Sequence, residues 1–262
     1  MHRSPKPRQW ILLRGLTRES AHWGDFAAGL LQALPNDHVL ALDLPGNGQL
    51  HTVPSPLSVQ TMVQACRSEL ARRAVAPPYH LLAMSLGAMV ANEWATAAPG
   101  EVAGCVLINT SMRPFSPFYQ RLRPHNLVTL LQLMCKWRSQ SAGGAEAVEE
   151  IILRITSNRA PDRVDVIAPW AAVRRRRPVS PSNALRQLVA AALYRAPAVP
   201  PRVPLLLLGS IQDQLVANQC SESIAKAWGV PLHKHPSAGH DLPLDDPQWV
   251  INEVLQWADW TA

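Results

Sequence analysis

Tyr79-His80-Leu81-Leu82-Ala83-Met84-Ser85-Leu86-Gly87-Ala88-Met89-Val90-Ala91 is the stretch that decides the fold. Tyr79 to Met84 is a short, mostly apolar run of strand length, and Ser85 to Ala97 has the small and apolar residues of a helix packed deep against a sheet. A strand that turns directly into a helix needs small residues on both sides of the turn, because bulk there strikes the neighbouring elements. Ala83 and Gly87 stand two residues before and two after Ser85. The serine then projects at a helix N-terminus, where the backbone N–H of Leu86 faces any negative charge that develops beside it. A helix-capping serine would leave the same five residues, so the reading depends on what surrounds them.

Outward from this turn, strands and helices alternate. Gln9 to Arg14 and Val39 to Leu44 read as strands with a helix from His22 to Leu34 between them, and Val59 to Ala74 as a further helix. Ala103 to Asn109 is the next buried strand. Val203 to Leu208 (strand), Val216 to Trp228 (helix), Leu232 to His235 (strand) and Pro247 to Trp260 (helix) complete the series. Between Ser111 and Pro200 there is no strand signal. Pro117 to Gln140, Ala145 to Ser157, Arg163 to Val173 and Asn183 to Tyr194 are helix-like pieces punctuated by Gly143-Gly144, Pro161 and Pro178 to Pro181. The pattern predicts an α/β fold: an open, mostly parallel sheet with helices on both faces, built from residues 1–110 and 201–262, with 111–200 as a helical insertion. In such a sheet ligands bind beyond the carboxyl ends of the strands.

Composition narrows the class. A chain of 262 residues, 47% hydrophobic and 17% charged, is a single domain with a real core rather than a disordered chain. Its longest apolar run, near Leu205 to Leu208, is too short to cross a bilayer, and the stretch after Arg3, Lys6 and Arg8 lacks the apolar core of a signal peptide, so a cytoplasmic protein without membrane partners is expected. Cys66, Cys105, Cys135 and Cys220 are scattered without metal-ligand spacing, so neither a metal nor a cofactor is expected. The net charge of +6 is uneven: residues 111–200 hold thirteen Arg and one Lys against five acids, while the remainder is slightly acidic. Such a field steers an anionic partner. No nucleic-acid motif accompanies Arg174-Arg175-Arg176-Arg177, and no nucleic-acid partner is expected.

An acid and a histidine follow Ser85, each after a later strand: Asp213 in Gly209-Ser210-Ile211-Gln212-Asp213 and His240 in Ala238-Gly239-His240-Asp241-Leu242-Pro243. A serine hydroxyl is a poor nucleophile at neutral pH. It needs an imidazole to take its proton, and the imidazole needs a carboxylate to hold its tautomer and stabilise its charged form. Ser85, Asp213 and His240 are therefore the candidate catalytic residues, in the chain order this architecture demands.

With these motifs the sequence resembles the α/β-hydrolase superfamily over most of the chain outside the insertion. Leu13-Arg14-Gly15-Leu16 stands where that family has His-Gly-x, Leu42-Asp43-Leu44-Pro45-Gly46-Asn47-Gly48 is similar to its Asp-x-Pro-Gly-x-Gly turn, and Trp23 matches an aromatic common there. The resemblance implies that the Leu16 and Leu86 N–H groups form the oxyanion hole and that the insertion after the family's sixth strand is a lid. Its apolar residues, among them Phe115, Phe118, Tyr119, Leu127, Leu131, Met134, Ile152 and Trp170, would line an acyl pocket, with Trp23 and Arg121 also against substrate. Two departures stand out: Arg14 in place of the usual His, and an N-terminal segment of eight residues, too short for the family's opening hairpin. Serine at the elbow, where some relatives carry Asp, implies acyl transfer to water through an acyl-enzyme, that is, a serine carboxylic-ester hydrolase. The Arg-rich lid, Ser85-Leu86-Gly87 and Gly239-His240-Asp241-Leu242-Pro243 together resemble the pimeloyl-acyl-carrier-protein methyl ester esterases of biotin synthesis and related small carboxylesterases. That resemblance implies a small or carrier-bound acyl ester as substrate and an acidic acyl-carrier protein at the basic lid. Cleavage of a thioester or acyl transfer from acyl-CoA or acyl-carrier protein uses the same groups, and a non-catalytic ligand-binding homologue would keep the same pocket.

Overall fold

The computed structural model describes residues 7–137, 144–159 and 162–260. Six strands, β1 (Gln9–Leu13), β2 (His38–Leu42), β3 (Tyr79–Met84), β4 (Val102–Ile108), β5 (Leu205–Ser210) and β6 (Leu232–His235), form one sheet in the order β2-β1-β3-β4-β5-β6, every neighbouring pair parallel. Leu13 at the end of β1 lies beside Leu42 on one side and Ala83 on the other, so the chain moves outward from β1 to β2 and then crosses back to β3. The crevice beyond the carboxyl ends of β1 and β3 is therefore a topological switch point, the usual place for a ligand in such sheets.

The first three helices are α1 (Asp25–Ala33), α2 (Val59–Arg72) and α3 (Leu86–Ala97). Between β4 and β5 the described residues form no strand, only a single bridge of Arg113 with Arg195, and the α-helices α4 (Phe118–Arg121), α5 (Asn126–Trp137), α6 (Gly144–Thr156), α7 (Ile167–Arg176) and α8 (Pro181–Leu193). The chain closes with α9 (Gln219–Trp228), α10 (Leu242–Asp245) and α11 (Pro247–Trp260). No helix of the described residues is long and apolar enough to cross a membrane.

The strands are apolar on both faces because helices cover both. Ile11, Leu13, Leu81, Leu107, Leu205 and Leu207 meet Met62, Leu70, Val90, Trp94 and Ile224 from α2, α3 and α9. Trp10, Leu12, Leu82, Ile108, Leu206 and Leu208 meet Phe26, Leu30, Val250, Val254 and Trp257 from α1 and α11. This two-residue alternation explains the unbroken run Leu205 to Leu208, since each leucine faces one of two cores.

Several expected boundaries shift for local reasons. Gly24, at φ 51°, separates a 3-10 turn at Ser20–Trp23 from α1, so the single helix expected from His22 is two pieces. The long helix expected from Pro117 to Gln140 breaks between α4 and α5, where Pro124 has no N–H to give a helix, and its last residues lie outside those described. The helix expected at Val216 starts at Gln219, because the N–H groups of Leu215 and Val216 are turned onto Asp213.

Candidate active site

Ser85 stands between the end of β3 and the start of α3 with φ 55° and ψ −117°, a left-handed conformation that costs a non-glycine residue on the order of 1–3 kcal/mol. The turn is held by its backbone: the Ser85 N–H donates to the Ile108 carbonyl at 2.9 Å, and Thr110 Oγ1 donates to the Ser85 carbonyl at 3.1 Å. Gly87 shows why the turn needs small residues, since a Cβ there would lie 2.4 Å from the Leu13 carbonyl oxygen. That close approach brings the start of α3 against the end of β1. Gly15 also lies close to the elbow: a Cβ on it would be 3.1 Å from the Cβ of Ser85, a tight contact.

Asp213 and His240 meet in a buried pair. His240 Nδ1 and Asp213 Oδ2 are 2.7 Å apart, and both residues are at most 3% exposed. Asp213 Oδ1 accepts the N–H groups of Leu215 at 2.8 Å and Val216 at 2.9 Å, so the carboxylate is fixed by backbone. A carboxylate on Nδ1 keeps the proton there and leaves Nε2 as the free base. Asn109, just past β4 and expected only as the end of a strand, ties this pair to the elbow. Its Nδ2 donates to the His240 carbonyl at 2.8 Å and to Ser210 Oγ at 2.9 Å, one residue away from the Thr110 that holds Ser85. Its position just after a strand end is the same signal that marks Ser85 and Asp213. Among the described residues the Ser85 hydroxyl makes no hydrogen bond; such bonds are commonly loose before substrate binds.

Neither the Leu16 nor the Leu86 backbone N–H has a hydrogen-bond partner among the described residues; Leu86 follows Ser85 directly, and Leu16 follows Gly15, which lies against Ser85. The loop that carries Leu16 is braced by Arg14. Its two Nη groups donate to Asp241 Oδ1 at 3.0 Å and Oδ2 at 2.5 Å, and its guanidinium lies over the Trp23 ring, 4.9 Å from the centroid. Burial alone would raise the Asp241 pKa, but the charge and hydrogen bonds of Arg14 hold it below the ordinary carboxylate value. The residue that departs from the family pattern thus joins the Leu16 loop to the residue after His240.

The residues expected against substrate have these surroundings. Trp23 is buried, stacked on Phe26 at 5.3 Å. Phe115 packs edge-on against Trp228 at 5.3 Å, and Trp170 is buried beneath the Arg18 guanidinium at 4.1 Å. Arg121 caps α8, donating to the carbonyls of Ala191 and Ala192. All four have packing or capping contacts within the protein. Tyr119 is half exposed on α4 beside Phe118. Ile152 belongs to a small core with Leu133, Val148 and Ile151; the Met134 and Cys135 side chains lie outside the described set. Three of the four arginines in the basic run are paired: Arg174 with Glu149 at 2.6 Å, Arg175 with Glu146 at 2.5 Å and Arg177 with Glu19 at 3.1 Å. Among the described residues no group of His, Cys, Asp and Glu is arranged to hold a metal.

A parallel sheet with its serine in a strained turn between strand and helix, and a later acid and histidine paired at strand ends, is the architecture of an α/β hydrolase. Residues 10–253 match the model of the alpha/beta hydrolase family, and the chain belongs to that family. It is similar to the "Biotin biosynthesis bifunctional protein BioHC" of Cellvibrio japonicus, 26% identical over 96% of this chain and 48% of that protein. It also resembles the "Pimeloyl-[acyl-carrier protein] methyl ester esterase" of Xylella fastidiosa, 34% identical over 33% of this chain and 31% of that protein. The chain thus spans about half or less of the length of these curated relatives. The fold is shared with the enol-lactonase of Burkholderia xenovorans, with a TM-score of 0.76, 16% identity, and 98% of this chain and 94% of that one covered.

Proposed function

We propose that this protein is a serine hydrolase that cleaves a carboxylic ester through an acyl-enzyme. Ser85 Oγ attacks the acyl carbonyl while His240 Nε2 takes its proton, and Asp213 holds the imidazole and stabilises its cationic form. The Leu16 and Leu86 N–H groups receive the oxyanion, and His240 returns the proton to the leaving alcohol. Water, activated by the same histidine, then releases the acid and frees Ser85. The observation that carries the reading is the buried 2.7 Å Asp213–His240 pair, joined through Asn109 and Thr110 to a serine in the left-handed region. A strained serine flanked by two unpartnered N–H groups is costly unless the chemistry uses it.

The substrate we favour is a methyl ester of a medium-chain acid borne on an acyl-carrier protein, a role supported by the names of the two curated relatives and by the nine surplus positive charges on residues 111–200. In this reading α4 to α8 form a lid over the site and 1–110 with 201–262 the catalytic core. Hydrolysis of one such ester, carrier-bound and as a free small ester, tests it with Ser85→Ala as blank. The carrier-bound form turns over at a kcat/KM at least tenfold higher, and Ser85→Ala loses several orders of magnitude on both. Equal rates on the two forms would leave a general carboxylesterase, and a better rate on the matching thioester would move the assignment to thioester cleavage.

A further inference from the structure

Gln187 is unused by the proposed chemistry, yet it is fully buried on α8 while Leu185 and Leu188 beside it are exposed. A buried carboxamide is costly unless its hydrogen-bonding groups are paired, and these are. Its Oε1 accepts the Thr17 N–H at 2.8 Å, and its Nε2 donates to Asn47 Oδ1 at 2.8 Å and to Ser55 Oγ at 3.0 Å. Asn47, also fully buried, donates from Nδ2 to the Arg18 carbonyl at 2.9 Å.

The turn gripped in this way is the one that carries Leu16. The Arg18 N–H donates to the Gly15 carbonyl at 3.2 Å, and Thr17 sits at φ 60°, a conformation that a β-branched residue keeps only when its surroundings hold it. A peptide unit is planar and trans, so its C=O and N–H point in opposite directions. With the Gly15 carbonyl turned onto Arg18, the Leu16 N–H of the same peptide is turned away from it, and the next peptide is held by Gln187 through Thr17.

We propose that Gln187 is a positioning residue for the oxyanion site: from the helical segment between β4 and β5 it fixes Thr17 and Asn47, and through them the direction of the Leu16 N–H beside Ser85. The inference rests on the reading of Ser85 as nucleophile and Leu16 as oxyanion donor. It makes this helical segment part of the catalytic frame as well as a cover for it.

The test uses the whole chain, with active sites counted by fluorophosphonate titration so that misfolded protein does not enter the rates. Gln187→Met keeps the length and bulk but neither accepts from Thr17 nor donates to Asn47. Asn183→Ala, one turn earlier on α8, cuts bonds to the Ser55 N–H and to the His51 and Val53 carbonyls without touching the Leu16 turn. Acylation by p-nitrophenyl butyrate per titrated site falls about tenfold or more in Gln187→Met. Affinity for an alkyl trifluoromethyl ketone, whose adduct carries the oxyanion, falls by a similar factor, while ester affinity before the chemical step stays within about twofold, the oxyanion contact being made only in the transition state. Asn183→Ala keeps wild-type values on all three. If Gln187→Met yields no titratable enzyme, Asn47→Ala, which frees the Arg18 carbonyl, gives the same readout. Wild-type acylation per site in these variants, or an equal loss in Asn183→Ala, makes Gln187 a packing residue and overturns the inference. A wild-type protein that takes no label at Ser85 removes the functional reading, and the inference with it.

Discussion

Arg14 shows how a single departure from a family pattern is absorbed. A buried guanidinium needs a carboxylate in good geometry, and Asp241 supplies one with both oxygens, in a pair whose two side chains are 2% and 4% exposed. Asp241→Asn leaves the arginine buried without a counter-charge and lowers stability by about 3–5 kcal/mol, read from urea unfolding. A loss within the range of surface pairs would show that water reaches Arg14. The sign with pH follows from the direction of the Asp241 shift. Its folded pKa is depressed, so its contribution is present above the unfolded value near 3.9 and is lost as pH falls through the lower folded value. Neither partner was legible as a pair: Arg14 reads as an anomaly and Asp241 as the residue after a candidate base, and only the fold brings together residues 227 apart in the chain.

At the scale of elements, α7 ends in the basic run, where cations meet the negative end of the helix dipole. Two of its arginines separate burial from exposure on one helix. Arg174 meets Glu149, whose side chain is 1% exposed and is shared with Arg18, so Arg174→Ala costs about 3 kcal/mol. Arg175 meets Glu146 in solvent, and Arg175→Ala leaves the unfolding midpoint unchanged. Equal effects in thermal melts would contradict this placement. The strands and core helices were legible because their apolar periods match the two covered faces of the sheet: Tyr79 to Met84 and Leu232 to His235 appear at the residues expected. The helical segment was legible as helices but not in its interior. On α8 it turns Asn183 and Gln187 inward and leaves Leu185, Leu188 and Leu193 exposed, the reverse of the pattern on which sequence reading rests. Phe115 and Trp170, expected at an acyl pocket, make their ring contacts with Trp228 and Arg18.

For the whole molecule, internal pairing of arginines leaves the net charge of the helical segment unchanged, so its field persists at long range even though the run Arg174 to Arg177 is not a free patch. Two buried histidines add an acid-labile part to the stability above the pH range of Asp241. Burial holds the His80 pKa down to about 4, with the charge of Arg8 adding to the effect, and burial with Arg18 and Arg14 holds His22 well below 6.5. Both take a proton near pH 6.5 when unfolded and only at lower pH when folded, so their contribution is full above that pH and is lost as pH falls through the depressed folded values, about 4 for His80. Tm should stay level from pH 8 to 7 and drop below 6.5, less steeply in His80→Phe; parallel curves for the two proteins would refute it. The central claim is that Ser85 becomes acylated with His240 as its base. It is tested most directly by intact-mass and peptide-mass analysis of the protein after reaction with a fluorophosphonate. A single adduct on the peptide containing Ser85, absent in Ser85→Ala and slowed by orders of magnitude in His240→Ala, is the predicted result. An adduct on another residue, or labelling that is indifferent to His240, would contradict it.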